Sequence, residues 1–300
     1  WIDKKYSIIF SLFLLAGILT ITLLSKKLSQ YKKRMKYIRF YLTGAIFLWF
    51  GIIHGIQIGT QKIYQSYNII KNDNGIWEMI LFDPIYIILV TFIIIATVLF
   101  GKGIFCGWIC PFGFIQDLIK KASTAIKFDN IEVPEYLHNK LIYLKYIILT
   151  LILLSVIYTT GNNILLEFEP FNTIIVYSFN TSTILILWAL LILGFVFFIE
   201  RGFCKYLCPT GASLAIIGQF QVINWLNTIK SCGDKSCQTC YPSCPTKAIR
   251  IDGSINSKEC IQCLSCQIVF NDKNIRCKNK IRKSSIKSTF IKNKSALGLR

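Results

Sequence analysis

Charged side chains are scarce in this sequence: Asp, Glu, Lys and Arg make up 16% of it, where soluble domains carry about 25%. Hydrophobic residues reach 53%, and the mean hydropathy is positive. That deficit, joined to long apolar runs, argues against one large soluble core and for a polytopic membrane protein. Histidine is nearly absent, His54 and His138 being the only two. With His54 in an apolar run and His138 in an expected loop, a bis-His haem is not expected. His54 is read as a hydrogen-bonded bundle residue, with haem or quinone contact as the functional alternative. No phosphate loop, hydrolase triad or pair of catalytic carboxylates is found. The chain opens on Trp1 rather than Met and shows no cleavable signal peptide, so a fragment of a longer protein is expected.

Five apolar runs approach the roughly 20 residues a helix needs to cross a bilayer: 6–24, 40–59, 84–101, 141–160 and 183–199. The loops between them differ in Lys and Arg content, which sets orientation. Residues 25–39 hold seven Lys/Arg and no acid, and 102–140 hold five Lys and four acids. Residues 60–83 hold Lys62 and Lys71 against Asp73, Glu78 and Asp83, while 161–182 hold only Glu167 and Glu169. The first residue is therefore expected outside and the C-terminus in the cytoplasm. Asp83, Glu167 and Glu169 then fall at the outer rim, as solvated carboxylates or as groups that receive protons or face a partner. Trp108, Tyr206 and Trp225 fall near the inner face as interfacial belt residues. The net charge of +19 sits in blocks beside apolar runs. The stretch 273–300, with ten Lys/Arg and no acid, reads as a disordered tail drawn to anionic headgroups. No recognition motif accompanies it, so no nucleic-acid partner is expected.

Twelve cysteines have metal-ligand spacings rather than those of a secreted disulfide scaffold. Cys232, Cys237, Cys240 and Cys244, followed by Pro245, form one group; Cys260, Cys263 and Cys266, with Cys277 eleven residues on, form another. Two-cluster ferredoxins use three closely spaced thiolates for one [4Fe–4S] cluster and throw the fourth, before proline, to the other. That rule assigns Cys232, Cys237, Cys240 and Cys277 to one cluster and Cys260, Cys263, Cys266 and Cys244 to the second. The first gap is longer than the bacterial pattern, and Cys277 lacks a following proline. A structural zinc site is the plain alternative. Between the groups, TKAIRIDGSIN reads as two short strands around Asp252-Gly253.

The remaining four cysteines lie in a repeat, FCGWICPFG at 105–113 and FCKYLCPTG at 203–211. Cysteines at i and i+4 share a helical face, and the proline ends or bends the segment. Both copies are expected at the cytoplasmic ends of the third and fifth spans. Cys106, Cys110, Cys204 and Cys208 are thus candidates for a third iron–sulfur cluster or redox dithiols, with simple packing as the alternative.

In their order these features resemble the C-terminal part of NosR-type membrane flavo-iron–sulfur proteins of nitrous oxide respiration. NapH-type quinol dehydrogenase subunits and polyferredoxins are related. The resemblance covers most of 1–277 and rests on LFDP (81–84), GIFCGWICPFG (103–113), EFEPFNTII (167–175), IERGFCKYLCPTGASLA (199–215), CQTCYPSCPTKAI (237–249) and INSKECIQCLSCQIVF (255–270). It implies a periplasmic domain with covalent FMN ahead of Trp1, which NapH-type proteins lack. It also implies electron movement between the quinone pool or a cytoplasmic donor and a periplasmic reductase. Nitrous oxide reductase is favoured, its activity, maturation or operon expression being supported. The alternatives are a NapH-type subunit feeding another periplasmic reductase, or a membrane redox sensor or assembly factor.

The expected fold is an α-helical polytopic membrane protein of five transmembrane helices over 1–228, bearing both repeats. A small cytoplasmic α+β two-cluster ferredoxin-like domain follows over 229–280, then a basic disordered tail over 281–300. The expected chemistry is one-electron transfer.

Overall fold

A computed structural model describes residues 4–62, 64–65, 84–128, 131, 133–158, 169–223, 226, 240–250 and 254–271. The expectations for Cys232, Cys237, Cys277, Asp83, Glu167, Trp225, Asp252-Gly253 and the tail lie outside the described residues. Among the described residues the chain is almost wholly helical. The runs of Leu, Ile and Phe form α1 (Lys5–Leu28), α3 (Pro84–Phe100), α6 (Leu144–Tyr158) and α7 (Thr183–Phe198). Helix α2 (Lys32–Ile46) begins earlier than the apolar run at 40–59, because its Lys- and Arg-rich start is itself good helix-forming sequence. It loosens into a π-helix, Phe47–Ile53, and stops at Gly55, whose φ of +58° is outside the helical region. Residues 56–60 then run as buried non-helical chain rather than as the end of a span.

Among the described residues three segments are long and apolar enough to cross a membrane: Lys5–Ser25, Lys32–Ile53 and Glu135–Val156, the last joining α5 (Glu135–Leu141) to α6. Helices α3 and α7 are strongly apolar but have only 17 and 16 residues. At 1.5 Å per residue they reach about 25 Å, against a hydrocarbon core of about 30 Å. Large apolar side chains stand exposed on all of these helices, among them Phe13, Ile94, Leu151 and Leu187. Such faces suit hydrocarbon rather than water.

Each repeat folds back on itself. After α3 the chain turns at Gly101 (φ +95°), passes through a π-turn, Phe105–Ile109, and restarts as α4 (Pro111–Ala125). After α7 it turns at Arg201 (φ +52°), forms the short α8 (Gly202–Tyr206) and restarts as α9 (Pro209–Gly218). The proline expected to end or bend each segment instead opens a new helix at its first position. There its missing N–H leaves no bond unmade and its fixed φ suits the helix. Helix α4 packs against α2 and α7, and α9 against α3 and α6. Each return helix thus leans on the helix that leads into the other repeat, which interlocks the two copies.

Along α2 and the π-helix that continues it, Pro111 lies against Gly51, Phe114 against Gly44, and Asp117 reaches Arg39 at 3.0 Å. Cys110 therefore lies well away from the basic end of α2, and α4 returns toward that end. In the ferredoxin region Ile249 and Ile255 form one antiparallel bridge where two strands were expected, flanking the undescribed turn. A short α10 (Ser265–Asn271) closes the region.

If the exposed faces meet lipid, Leu187→Arg on α7 should lower membrane insertion by about 2.5–3.5 kcal/mol, read as a reduced membrane-integrated fraction after alkaline extraction. An unchanged fraction would mean that this face of α7 is not in hydrocarbon.

Candidate functional site

Cys106, Cys110, Cys204 and Cys208 line a single cavity. The interlocked return helices bring the two pairs together: Phe112, Phe171 and Phe203 meet with ring centroids 5.2–6.3 Å apart beside it. Three sulfurs receive hydrogen bonds. Gln116 Nε2 donates to Cys204 at 2.9 Å, Gln57 Nε2 to Cys110 at 3.6 Å, and the Gly211 N–H to Cys208 at 3.2 Å. Cys208 is the N-cap of α9, so its sulfur meets the positive end of a helix.

Burial pushes the Cys106 thiol up to about 11 and the Cys110 thiol up to about 12, and the neighbouring thiols raise Cys110 further. Cys204 and Cys208 move in the same direction for the same first reason. Four such thiols stay protonated unless positive charge joins them. A bound metal group supplies that charge and deprotonates its ligands outright. Two lysines already face the cavity, Lys102 (4% exposed) and Lys205 (6%), and neither forms an ion pair among the described residues. Arg201 is also buried, donating to Asp117 at 2.6 and 2.8 Å and to the Cys106 carbonyl at 3.0 Å. Burial opposes the Asp117 carboxylate, but Arg201 and Arg39 outweigh it and hold its pKa below the usual value. Among the described residues no three His, Cys, Asp or Glu side chains close on one point as a single ion requires. Sulfurs lining a cavity, with amide donors and nearby cations, instead fit a polynuclear iron–sulfur group.

A second cavity is lined by Cys244, Cys260, Cys263 and Cys266, the set expected to hold one ferredoxin cluster. Gln262 and Leu264 have φ of +50° and +63°. Such alternation turns backbone N–H groups inward, as anion-binding nests do. The Gln262 N–H donates to Cys260 at 3.3 Å and the Ala248 N–H to Cys244 at 3.2 Å. Cys240 sits alongside, its thiol directed at the Cys266 carbonyl at 3.9 Å.

The two cavities share walls: Thr246 and Ile261 line both. The contact between them is close, backbone on backbone at Gly107 and backbone against the Gln262 side chain at Gly103. A Cβ at Gly107 would lie 1.9 Å from the Ile261 carbonyl oxygen, and one at Gly103 would lie 2.4 Å from Gln262. Trp108 Nε1 donates to the Gln262 carbonyl at 3.1 Å, and Gln262 Nε2 donates to the Phe100 carbonyl. Lys145, fully buried at the start of α6, pairs with Glu259 at 2.6 Å and clamps the ferredoxin loop from the other side.

Several sequence readings change here. Trp108 and Tyr206 are each 2% exposed. They are not belt residues, because both spend their polar atoms on partners inside the protein. Tyr206 hydroxyl meets His138 Nδ1 at 2.8 Å, and His138 is a buried residue of α5 rather than part of a loop. His54 stands edge-on to Trp49 and does not line either cavity. Glu169 is 3% exposed and bonded inside the bundle, not solvated at a rim. Sequence reasoning missed Lys102, Lys205, Arg201, Gln57, Gln116 and Glu259. A signal for some of them was present: Lys102-Gly103 and Arg201-Gly202 each put a cation and a glycine just before a Phe-Cys.

A family profile described as 4Fe-4S binding domain matches residues 82–128 and again 181–228, once around each repeat. A second profile, NosR, matches 230–288. "Regulatory protein NosR" of Stutzerimonas stutzeri is 32% identical over 278 residues, 91% of this chain and 38% of that protein. "Protein NirI" of Paracoccus denitrificans is 38% identical over 197 residues, 65% of this chain and 29% of that protein. A "Regulatory protein NosR" sequence of Pseudomonas aeruginosa is 45% identical over 71 residues, 24% of this chain and 70% of that sequence. The chain thus spans well under half of the first two relatives. No solved structure matches it.

Gly107→Ala should push the Ile261 loop away, at about the 1–3 kcal/mol typical of overpacking. Hydrogen exchange across 255–266 should then rise while α1 and α2 stay protected. Unchanged exchange there would mean that the close approach does not hold the loop.

Proposed function

The chain belongs to the NosR family, and from that premise we propose that it relays single electrons between a two-cluster ferredoxin domain and a four-thiol centre inside a membrane bundle. At the coarser level it is a membrane iron–sulfur electron-transfer protein linked to denitrification. The observation that carries the relay is the shared wall: Thr246 and Ile261 belong to both sulfur-lined cavities. No solvent-filled gap or loop crossing has to be assumed between the two sets of thiols.

In this reading Cys244, Cys260, Cys263 and Cys266 hold one [4Fe–4S] cluster, and Cys240 joins Cys232, Cys237 and Cys277 around the other. Cys106, Cys110, Cys204 and Cys208 hold a third cluster in preference to dithiols, because the buried cations and sulfur-directed amides suit a lasting negative charge. An iron–sulfur group supplies a one-electron couple at each set. The chain's own residues do the rest. Lys102, Lys205 and Arg201 offset negative charge, Gln57 and Gln116 orient the sulfurs, and the three phenylalanines keep water out. Lys145 and Glu259 hold the loop at contact distance.

Five membrane crossings are proposed, α3 and α7 being accommodated by local thinning of the bilayer. The basic start of α2 and the ferredoxin domain lie on the cytoplasmic side. The terminal acceptor is a periplasmic nitrous oxide reductase system. An FMN domain ahead of Trp1 and the quinone pool, or a cytoplasmic donor, complete the chain of carriers. The word "Regulatory" in the relatives' names favours a second reading, in which the centres report redox state instead of carrying flux. Reduction by quinol or a cytoplasmic donor on a turnover timescale separates the two, since a sensor need not keep pace.

The direct test is iron and acid-labile sulfide content with electron paramagnetic resonance. Three cubane clusters give about twelve iron atoms per chain. Cys106→Ser with Cys204→Ser should lower this to about eight and remove one signal. A wild-type value of about eight that the substitutions leave unchanged would sink the third cluster.

A further inference from the structure

Glu169 is a buried acid that the electron path does not use. Its carboxylate accepts from the Thr60 N–H at 3.0 and 3.2 Å, from the Thr210 hydroxyl at 3.4 Å and from the Asn172 amide at 3.5 Å. No cation pairs with it among the described residues. A Cβ at Gly59 would lie 2.4 Å from Oε2, so a bare backbone is what lets the carboxylate lie against this segment.

The donors connect Glu169 to both cysteine pairs without touching a sulfur. Thr210 is two residues beyond Cys208, in the first turn of α9. Thr60 belongs to the same buried segment as Gln57, whose amide donates to Cys110. Among the described residues, titratable neighbours are few. The segment around Thr60 carries His54 at one end and Lys62 and Tyr64 at the other, the turn after Glu169 carries Tyr177, and α9 carries none. Beyond α9 lie the four thiols, with Lys102, Lys205 and Glu259 around the cavity.

We propose that Glu169 is a redox-linked proton site, taking up one proton when the four-thiol centre accepts an electron and releasing it when the electron leaves. The proposal rests on the reading that these thiols hold a redox centre. The balance is one electron from the ferredoxin side onto the centre and one proton from water onto a Glu169 oxygen. The proton comes from a hydronium ion of the bulk water: one of its O–H bonds breaks, leaving water, and one O–H bond forms on Glu169. The driving force is electrostatic. An added electron in a low-dielectric cavity repels a nearby carboxylate, and neutralising that carboxylate removes the repulsion. Burial pushes Glu169 up to about 7, against the hydrogen bonds from Thr60 and Thr210 that favour its anion. Near neutral pH the acid is therefore poised to respond.

The test is a potentiometric titration of the full chain, followed by paramagnetic resonance, over a pH series spanning neutrality. Because reduction raises the proton affinity of Glu169, the midpoint potential of the third centre should fall as pH rises above about 7. A full proton per electron is a tenfold change per pH unit, about 59 mV for one electron. Glu169→Gln, a neutral stand-in for the acid, should hold the potential flat near the wild-type acid-side value. The ferredoxin clusters in the same sample should not move. Should the variant fail to fold, the wild type still decides the matter. Its redox-difference infrared spectrum should gain a carboxylic-acid carbonyl band on reduction, and that band should shift in D2O. A third signal with a pH-independent potential overturns the proton site alone, as does a slope that survives in Glu169→Gln. Absence of any third signal overturns the centre and the proton site together.

Discussion

Four thiols placed in one apolar cavity oppose one another's ionisation, and much of this structure answers that constraint. Burial alone raises Cys106 and Cys110 far above neutrality, and each new thiolate raises the others. Thiolates at this place need nearby positive charge and amide donors, and the chain itself supplies both. Lys102 and Lys205 face the cavity, Arg201 is pinned beside Cys106, and Gln57, Gln116 and the start of α9 point N–H groups at sulfur. The interlocking of the two return helices follows from the same need. A cavity that takes two sulfurs from each repeat forms only if both repeats fold back to the same depth.

Much of this was legible in the sequence, and the limits are physical. The repeat, its i, i+4 cysteines and the ferredoxin spacing depend on local geometry, and Cys244, Cys260, Cys263 and Cys266 line one cavity. What could not be read was where the chain goes after each proline. Pro111 and Pro209 are equally compatible with an end and a beginning, and only the partners available to α4 and α9 decide. Trp108 and Tyr206 were misplaced for a related reason. An amphipathic ring suits a membrane interface and a buried hydrogen bond equally well, and the Gln262 carbonyl and His138 are distant in sequence. Lys102 entered the sequence reading only as loop charge, Lys145 fell inside an apolar run, and Arg201 and Lys205 were only part of a motif. Each is in fact buried.

Those four cations bear on why the ferredoxin region sits where it does. An isolated buried charge is costly. Here the cations gather at one seam, where the acids at hand are Asp117, which binds Arg201, and Glu259, which binds Lys145. Lys102 and Lys205 are left facing sulfur. Burial lowers Lys205 to about 8, so its charge is held weakly unless anionic sulfur stands opposite. Cation and thiolate therefore stabilise each other's charged form, and the ferredoxin loop closes the cavity from which water would otherwise screen both. The glycines at 103 and 107 then have a functional as well as a steric meaning. They let the loop approach until Thr246 and Ile261 line both sulfur-bearing cavities, close enough for charge in one to bear on the other. In the proposed relay, an electron passing between them shifts charge within one buried seam rather than across solvent.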